Sequence, residues 1–275
     1  MSATGTAAIF QRWIPTSIYI AFCLAPGGCS VGDLNTAERR ERGLVIVLPG
    51  IEGPSNWNAN LARGLAEGGV RSAIEIHDWG TPIPGGMLIN LADYERNQAS
   101  AERLKDHILE YMSAHPRRSV HLVGHSGGGG LAVLAVEKLP TNKPVSSIVL
   151  LAAALSPDYD LRESLGRTRF GIFNYYSKLD AGLLGVGTSL AGTIDRQHVI
   201  AAGAVGFNRP STVDDASGRL YSKLHQIEWR PEMRAYGHLG GHMGWTERSF
   251  VRRYLGPLIS DLNSSPPPIS GWETE

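Results

Sequence analysis

Apolar residues in this chain fall into two rhythms that alternate along its length. Short unbroken runs such as Leu44-Val45-Ile46-Val47-Leu48 and Val120-His121-Leu122-Val123 read as strands buried on both faces. Between these runs the apolar residues recur every three or four positions. Trp57, Leu61, Leu65 and Val70 make one such set, and Tyr94, Ala101, Leu104, Ile108 and Tyr111 make the next. That spacing predicts helices, and Ser55 stands at the head of the first as a candidate cap. Further strands are predicted over 72–80, 145–151, 171–177 and 224–229, with a short helix beginning at Leu161-Arg162-Glu163-Ser164-Leu165. Thr246 is read as the cap of a final helix carrying Phe250, Tyr254 and Leu258. Strands alternating with helices predict an α/β fold, a three-layer sandwich around a mostly parallel sheet. Ligands of such sheets bind at the carboxyl ends of the strands.

The two ends of the 275-residue chain depart from this pattern. Arg12 precedes an apolar stretch over 13–25 that is interrupted by Pro15 and too short for a membrane span. Pro26-Gly27-Gly28-Cys29-Ser30 follows. A cation, an apolar region and small residues describe an export signal over 1–29. A disordered or membrane-skimming extension is the alternative. The small residues before Cys29 resemble a bacterial lipoprotein signal, although Pro26 stands where that signal usually has leucine. The resemblance implies a lipidated Cys29, membrane anchoring through the N-terminal segment, and export to the cell envelope. Residues 263–275 open on Asn263-Ser264-Ser265-Pro266-Pro267-Pro268, a composition expected to be disordered. The folded domain is therefore expected over 41–262.

Composition narrows the function further. Twenty-six Lys and Arg balance twenty-six Asp and Glu. With no basic block, nucleic acid is not an expected partner. Cys23 and Cys29 are the only cysteines, which leaves the folded body without a disulfide framework or a thiolate nucleophile. There is no internal repeat, and oligomeric state is not written in these patterns.

Chemistry concentrates after the 120–125 strand, in Gly124-His125-Ser126-Gly127-Gly128. This fits G-x-S-x-G, a sharp strand-to-helix turn that lifts a nucleophilic serine above a parallel sheet and needs small neighbours for close packing. A rival reading takes Gly127-x-Gly129-x-x-Ala132 as a dinucleotide fingerprint. That motif wants an acidic residue at the end of the following strand, and the 145–151 strand ends in Ala152-Ala153-Ala154.

A serine hydroxyl needs a base to take its proton, and histidine suits that task. An acidic group then orients the imidazole and stabilises its charged form. Ser126, Asp180 and His242 occur in the order serine, acid, histidine, each after a predicted strand. Asp158, Asp160 and Asp195 compete with Asp180, and His238 competes with His242. Two histidines at i and i+4 on a helix can bind metal, but Gly237, Gly240, Gly241 and Gly244 disfavour a helix there. Flanking glycines favour His242 as the base, with His238 bonding a backbone carbonyl. His77 precedes Asp78 near the same rim, while His107, His115, His121 and His125 read as structural.

With Gly124-His125-Ser126-Gly127-Gly128, Ser177-Lys178-Leu179-Asp180 and Gly240-Gly241-His242-Met243-Gly244-Trp245 together, the chain from about 44 to 258 resembles an α/β-hydrolase of the esterase and lipase kind. The resemblance implies a serine hydrolase in which Ser126 attacks, His242 shuttles the proton and Asp180 orients the histidine. It also implies an oxyanion hole from the amides of Gly127 and Ile51, though Pro49-Gly50 replaces the usual His-Gly. The expected partner is a small-molecule ester or acyl substrate, and no metal or organic cofactor is implied. A nucleophilic serine in place of aspartate argues against haloalkane or epoxide chemistry. The short interval after the 145–151 strand leaves no room for a large cap domain. Cover is expected from 79–87 or from Leu183-Leu184-Gly185-Val186-Gly187 over a shallow cleft. An acyltransferase with the same triad and a non-catalytic envelope protein on the same fold are the alternatives.

Overall fold

The computed structural model describes residues 33–80, 93–182, 193–210 and 215–264. The predicted leader, the stretches 81–87 and 183–187 expected to supply cover, and the tail from 265 lie outside the described residues. So do Cys23 and Cys29.

Six strands form one open, wholly parallel sheet in the order β2-β1-β3-β4-β5-β6. They are β1 (Leu44–Leu48), β2 (Ala73–Ile76), β3 (Val120–His125), β4 (Ser147–Leu151), β5 (Ile172–Tyr176) and β6 (Leu224–Glu228). Strands were predicted at all six places, and β1, β3 and β4 are buried at every position. Alternation within each strand decides which layer a side chain meets. On one face Leu44, Ile46, Leu48, Leu122 and Leu150 pack with Leu104 and Ile108 of one helix and Leu131 of another. On the opposite face Val45, Val47, Val123, Val149 and Leu151 meet Leu61, Leu65, Phe250, Val251 and Leu255. The sandwich therefore has three layers.

The helices are α1 (Ala37–Arg40), α2 (Asn56–Glu67), α3 (Tyr94–Ala114), α4 (Gly127–Glu137), α5 (Arg162–Gly166), α6 (Ala202–Val205) and α7 (Asp215–Tyr221). A last helix, α8, runs through Arg248–Phe250, a π turn at Val251–Leu255, and Gly256–Ser264. Ser55 precedes α2 as predicted, and its backbone N–H donates to Asn58 Oδ1 at 2.8 Å. Thr246 does not cap the last helix. It closes a 3-10 turn, His242–Thr246, where its hydroxyl donates to Met243 O at 2.8 Å, and Glu247 is the cap. The turn forms because the chain leaving His242 must pack Trp245, fully buried, under the sheet. α8 reaches Ser264, and Asn263 Oδ1 lies 3.1 Å from Nε2 of the buried His121.

Topology positions the site. From β1 the chain steps outward to β2, then crosses back to lay β3 on the other side of β1. Leu48 at the end of β1 pairs in register with Gly124. The loops leaving β1 and β3 thus diverge at the point where strand order reverses, which is where open α/β sheets place their ligand crevice.

Candidate functional site

Ser126 sits at that reversal, on the turn between β3 and α4, with φ 53° and ψ −121°. A non-glycine residue held there carries roughly 1–3 kcal/mol of backbone strain. Its own backbone holds it in place. The Ser126 N–H donates to Leu151 O at 2.9 Å, and its carbonyl accepts from the amide of Ala154 at 3.0 Å. Sterics explain the glycines. A Cβ on Gly124 would lie 2.5 Å from Gly128 O, and one on Gly128 would lie 2.3 Å from Pro49 O. Helix and strand close to this distance only if both lack side chains.

Asp180 and His242 come together from the ends of β5 and β6. His242 Nδ1 lies 2.7 Å from Asp180 Oδ2, and both side chains are nearly buried. The His242 ring packs against His125, with centroids 4.6 Å apart. His125, adjacent to Ser126 in the chain, donates from Nε2 to the His242 carbonyl at 3.2 Å. That bond and that ring contact seat the His242 ring against the residue that precedes Ser126. Ile51 reaches the same place: its Cγ2 lies 2.9 Å from where a Cβ on Gly127 would stand.

Three residues to which the sequence assigned no positioning role hold these parts together. Ser177 donates through Oγ to Gly240 O at 2.6 Å, tying the acid turn to the histidine loop. Its carbonyl accepts the Asp180 amide at 2.9 Å. Ser177 three residues before Asp180 was the available signal. Trp79 Nε1 donates to Pro49 O at 2.9 Å and pins the loop after β1. Glu52, in that same loop, is nearly buried, and its Oε2 lies 2.2 Å from where a Cβ on Gly50 would stand. Burial pushes its carboxyl above the ordinary range, opposed by the amides of Glu52 and Gly50 and by the nearby His242. A lone glutamate between glycines carries no pattern that marks it.

The rivals are placed elsewhere. His238 is fully buried, edge-on to Trp245 at 4.0 Å, and accepts the Gly240 amide on Nδ1 at 3.1 Å. Its ring therefore accepts a backbone N–H where a bond to a carbonyl was expected, and burial holds its pKa down to about 4. Asp158, Asp160 and Asp195 line a separate cavity of ≈ 510 Å³ with Tyr94 and Tyr159. There Asp158 accepts from Asn208, Asp160 from Arg162, and Asp195 from the Ser156 amide. His77 stacks on His107 at 5.6 Å, and His107 in turn binds Glu75. His121 bridges Ser147 and Asn263 inside the sheet. His115 packs on Tyr111 at 4.7 Å. Among the described residues no cluster of three or more His, Cys, Asp or Glu is arranged to hold a metal. No helix among them is long and apolar enough to cross a membrane.

A family model described as the alpha/beta hydrolase fold matches residues 75–186, a span that contains Ser126 and Asp180. The open parallel sheet flanked by helices is consistent with that fold. No curated protein matches the chain. Among solved structures, a lipase B from Aspergillus fumigatus is similar at 15% identity and a TM-score of 0.47, over 96% of this chain and 66% of that one. A poly(3-hydroxybutyrate) depolymerase from Bordetella parapertussis is similar at 15% identity and 0.46, over 83% of each. A Trichoderma reesei cutinase is similar at 12% identity and 0.41, over 82% of this chain and 77% of the other.

Proposed function

We propose that this protein is a serine hydrolase of the α/β-hydrolase family, cleaving a carboxylic ester or related acyl bond. The observation that carries the reading is the 2.7 Å contact between His242 and Asp180, with the imidazole against the residue that precedes a strained serine. Ser126 Oγ attacks the acyl carbon as His242 Nε2 takes its proton. Asp180 stabilises the imidazolium through Nδ1. The oxyanion of the tetrahedral intermediate is held by backbone amides, with Gly127 and Ile51 the donors. His242 then protonates the leaving alcohol, and water attacks the acyl-enzyme by the same relay.

Two measurements on the folded protein test this. A fluorophosphonate should label Ser126 in the wild type and leave Ser126→Ala unlabelled. A panel of short- and long-acyl esters should be turned over by the wild type and not by the variant. Folded protein that neither labels nor hydrolyses would instead be a binding scaffold, and product formation that requires an added alcohol would mark an acyltransferase. Secretion to the envelope belongs to the same proposal, and mass spectrometry of the mature N-terminus tests it at Cys29.

A further inference from the structure

Glu52 and His125 face each other across the floor of the site, and their atoms do not balance as they stand. His125 Nε2 bonds the carbonyl of His242 at 3.2 Å. A carbonyl only accepts, so Nε2 carries the proton. Burial holds the His125 pKa down to about 3, so the ring is neutral and has only that proton. Nδ1 is therefore a bare lone pair, buried and without a partner. Opposite it, at 4.0 Å, stands Glu52 Oε1, also buried and without a partner. Two unpaired acceptors that face one another inside the protein are destabilising, because each has lost its water without gaining a donor.

We propose that Glu52 holds a proton on Oε1 for His125 Nδ1, and that this pair is a positioning link between the loop after β1 and the histidine loop. One proton repairs both defects. The O–H donates to Nδ1 after a closure of about 1 Å, Nε2–H continues to donate to the His242 carbonyl, and no charge is buried. The chain of contacts then runs from the loop carrying Ile51, through the residue adjacent to Ser126, to the backbone of the base. The groups that face the pair fit this account. The amides of Gly50 and Glu52 lie against the carboxyl, and His242 is the titratable group facing it from the histidine loop. Burial favours the protonated acid and is the largest influence on it. Ionised Glu52 would place a carboxylate against a lone pair and loosen the loop.

This inference rests on reading Ser126 and His242 as the reacting pair, but its first test does not. Histidine-labelled full-length protein should show a His125 Nδ1 resonance that follows one titration, assigned by its loss in His125→Gln. In Glu52→Gln, whose amide donates to Nδ1 without titrating, the resonance should stay hydrogen-bonded and cease to respond to pH. The kinetic test is rescue. Glu52→Ala should lower kcat by about 10- to 100-fold with KM little changed, while Glu52→Gln should stay within about threefold of the wild type. A Nδ1 resonance indifferent to both replacements, or a glutamine variant as impaired as the alanine variant, overturns the link. A wild type that titrates as described yet fails to label with fluorophosphonate supports the link and ends the hydrolase reading.

Discussion

Replacing Glu137 with glutamine should stabilise this protein at pH 8 and change little at pH 5. Glu137 ends α4, and its Oε2 accepts the Tyr159 hydroxyl at 2.8 Å while Oε1 is buried without a partner. Burial pushes its pKa up to about 7 from 4.5, reinforced by Glu163 and Asp160 and opposed by the Tyr159 bond and Arg167. A carboxyl raised in this way binds its proton more tightly folded than unfolded. Its contribution is therefore fully present below pH 4.5 and is lost as pH rises to about 7. At 1.36 kcal/mol per pKa unit the loss is roughly 3 kcal/mol. Glu137 is only partly buried, so roughly 2 kcal/mol is the better expectation at pH 8. Glutamine keeps the acceptor for Tyr159 and leaves the same second atom unpaired, so it mimics the protonated acid. The expected gain in Tm at pH 8 is roughly 4–8 °C for a domain of this size, shrinking to under about 3 °C at pH 5. Thermal melts of both proteins at the two pH values decide it. An equal shift at both, or none at pH 8, would refute the reasoning, because only ionisation distinguishes them.

The other expectations can be checked with the same preparations. Asp180→Asn should cut kcat by about 10⁴-fold while the protein stays folded, because an amide permits the wrong imidazole tautomer; steady-state kinetics with circular dichroism reads both. Ser177→Ala removes the donor to Gly240 O and should cost about 1–3 kcal/mol in urea unfolding, leaving a buried carbonyl unpaired. A kcat unaffected by that change would mean the acid turn is held without it. Gly128→Ala puts a methyl 2.3 Å from Pro49 O, backbone that has nowhere to go, and should destabilise by about 1–3 kcal/mol or prevent folding. His121 is held neutral by burial, with a pKa of about 4 against the ordinary 6.5. Its contribution is present above 6.5 and lost as pH falls towards 4, by up to about 1.4 kcal/mol per pH unit. His121→Asn should flatten the acid limb of the stability profile; an unchanged slope there would count against it.

What the amino-acid sequence determined by itself was whatever depends on neighbours along the chain. The runs at 44–48 and 120–125 are too apolar to sit anywhere but between two layers, and the spacing of Leu104, Ile108 and Tyr111 admits only a helix. The elbow was legible for the same reason, since glycines around Ser126 are a local steric requirement. The tertiary structure decided what depends on groups remote in sequence. His238 and His242 share a glycine-rich loop, and the flanking glycines only favour the second. Trp245 and Phe250 separate them, by enclosing one ring in the core while Asp180 takes the other. Asp180 stands apart from Asp158, Asp160 and Asp195 only because β5 ends beside the histidine loop. Glu52 gave no sign at all, because a carboxylate becomes unusual only when folding removes its water and sets a lone pair opposite it.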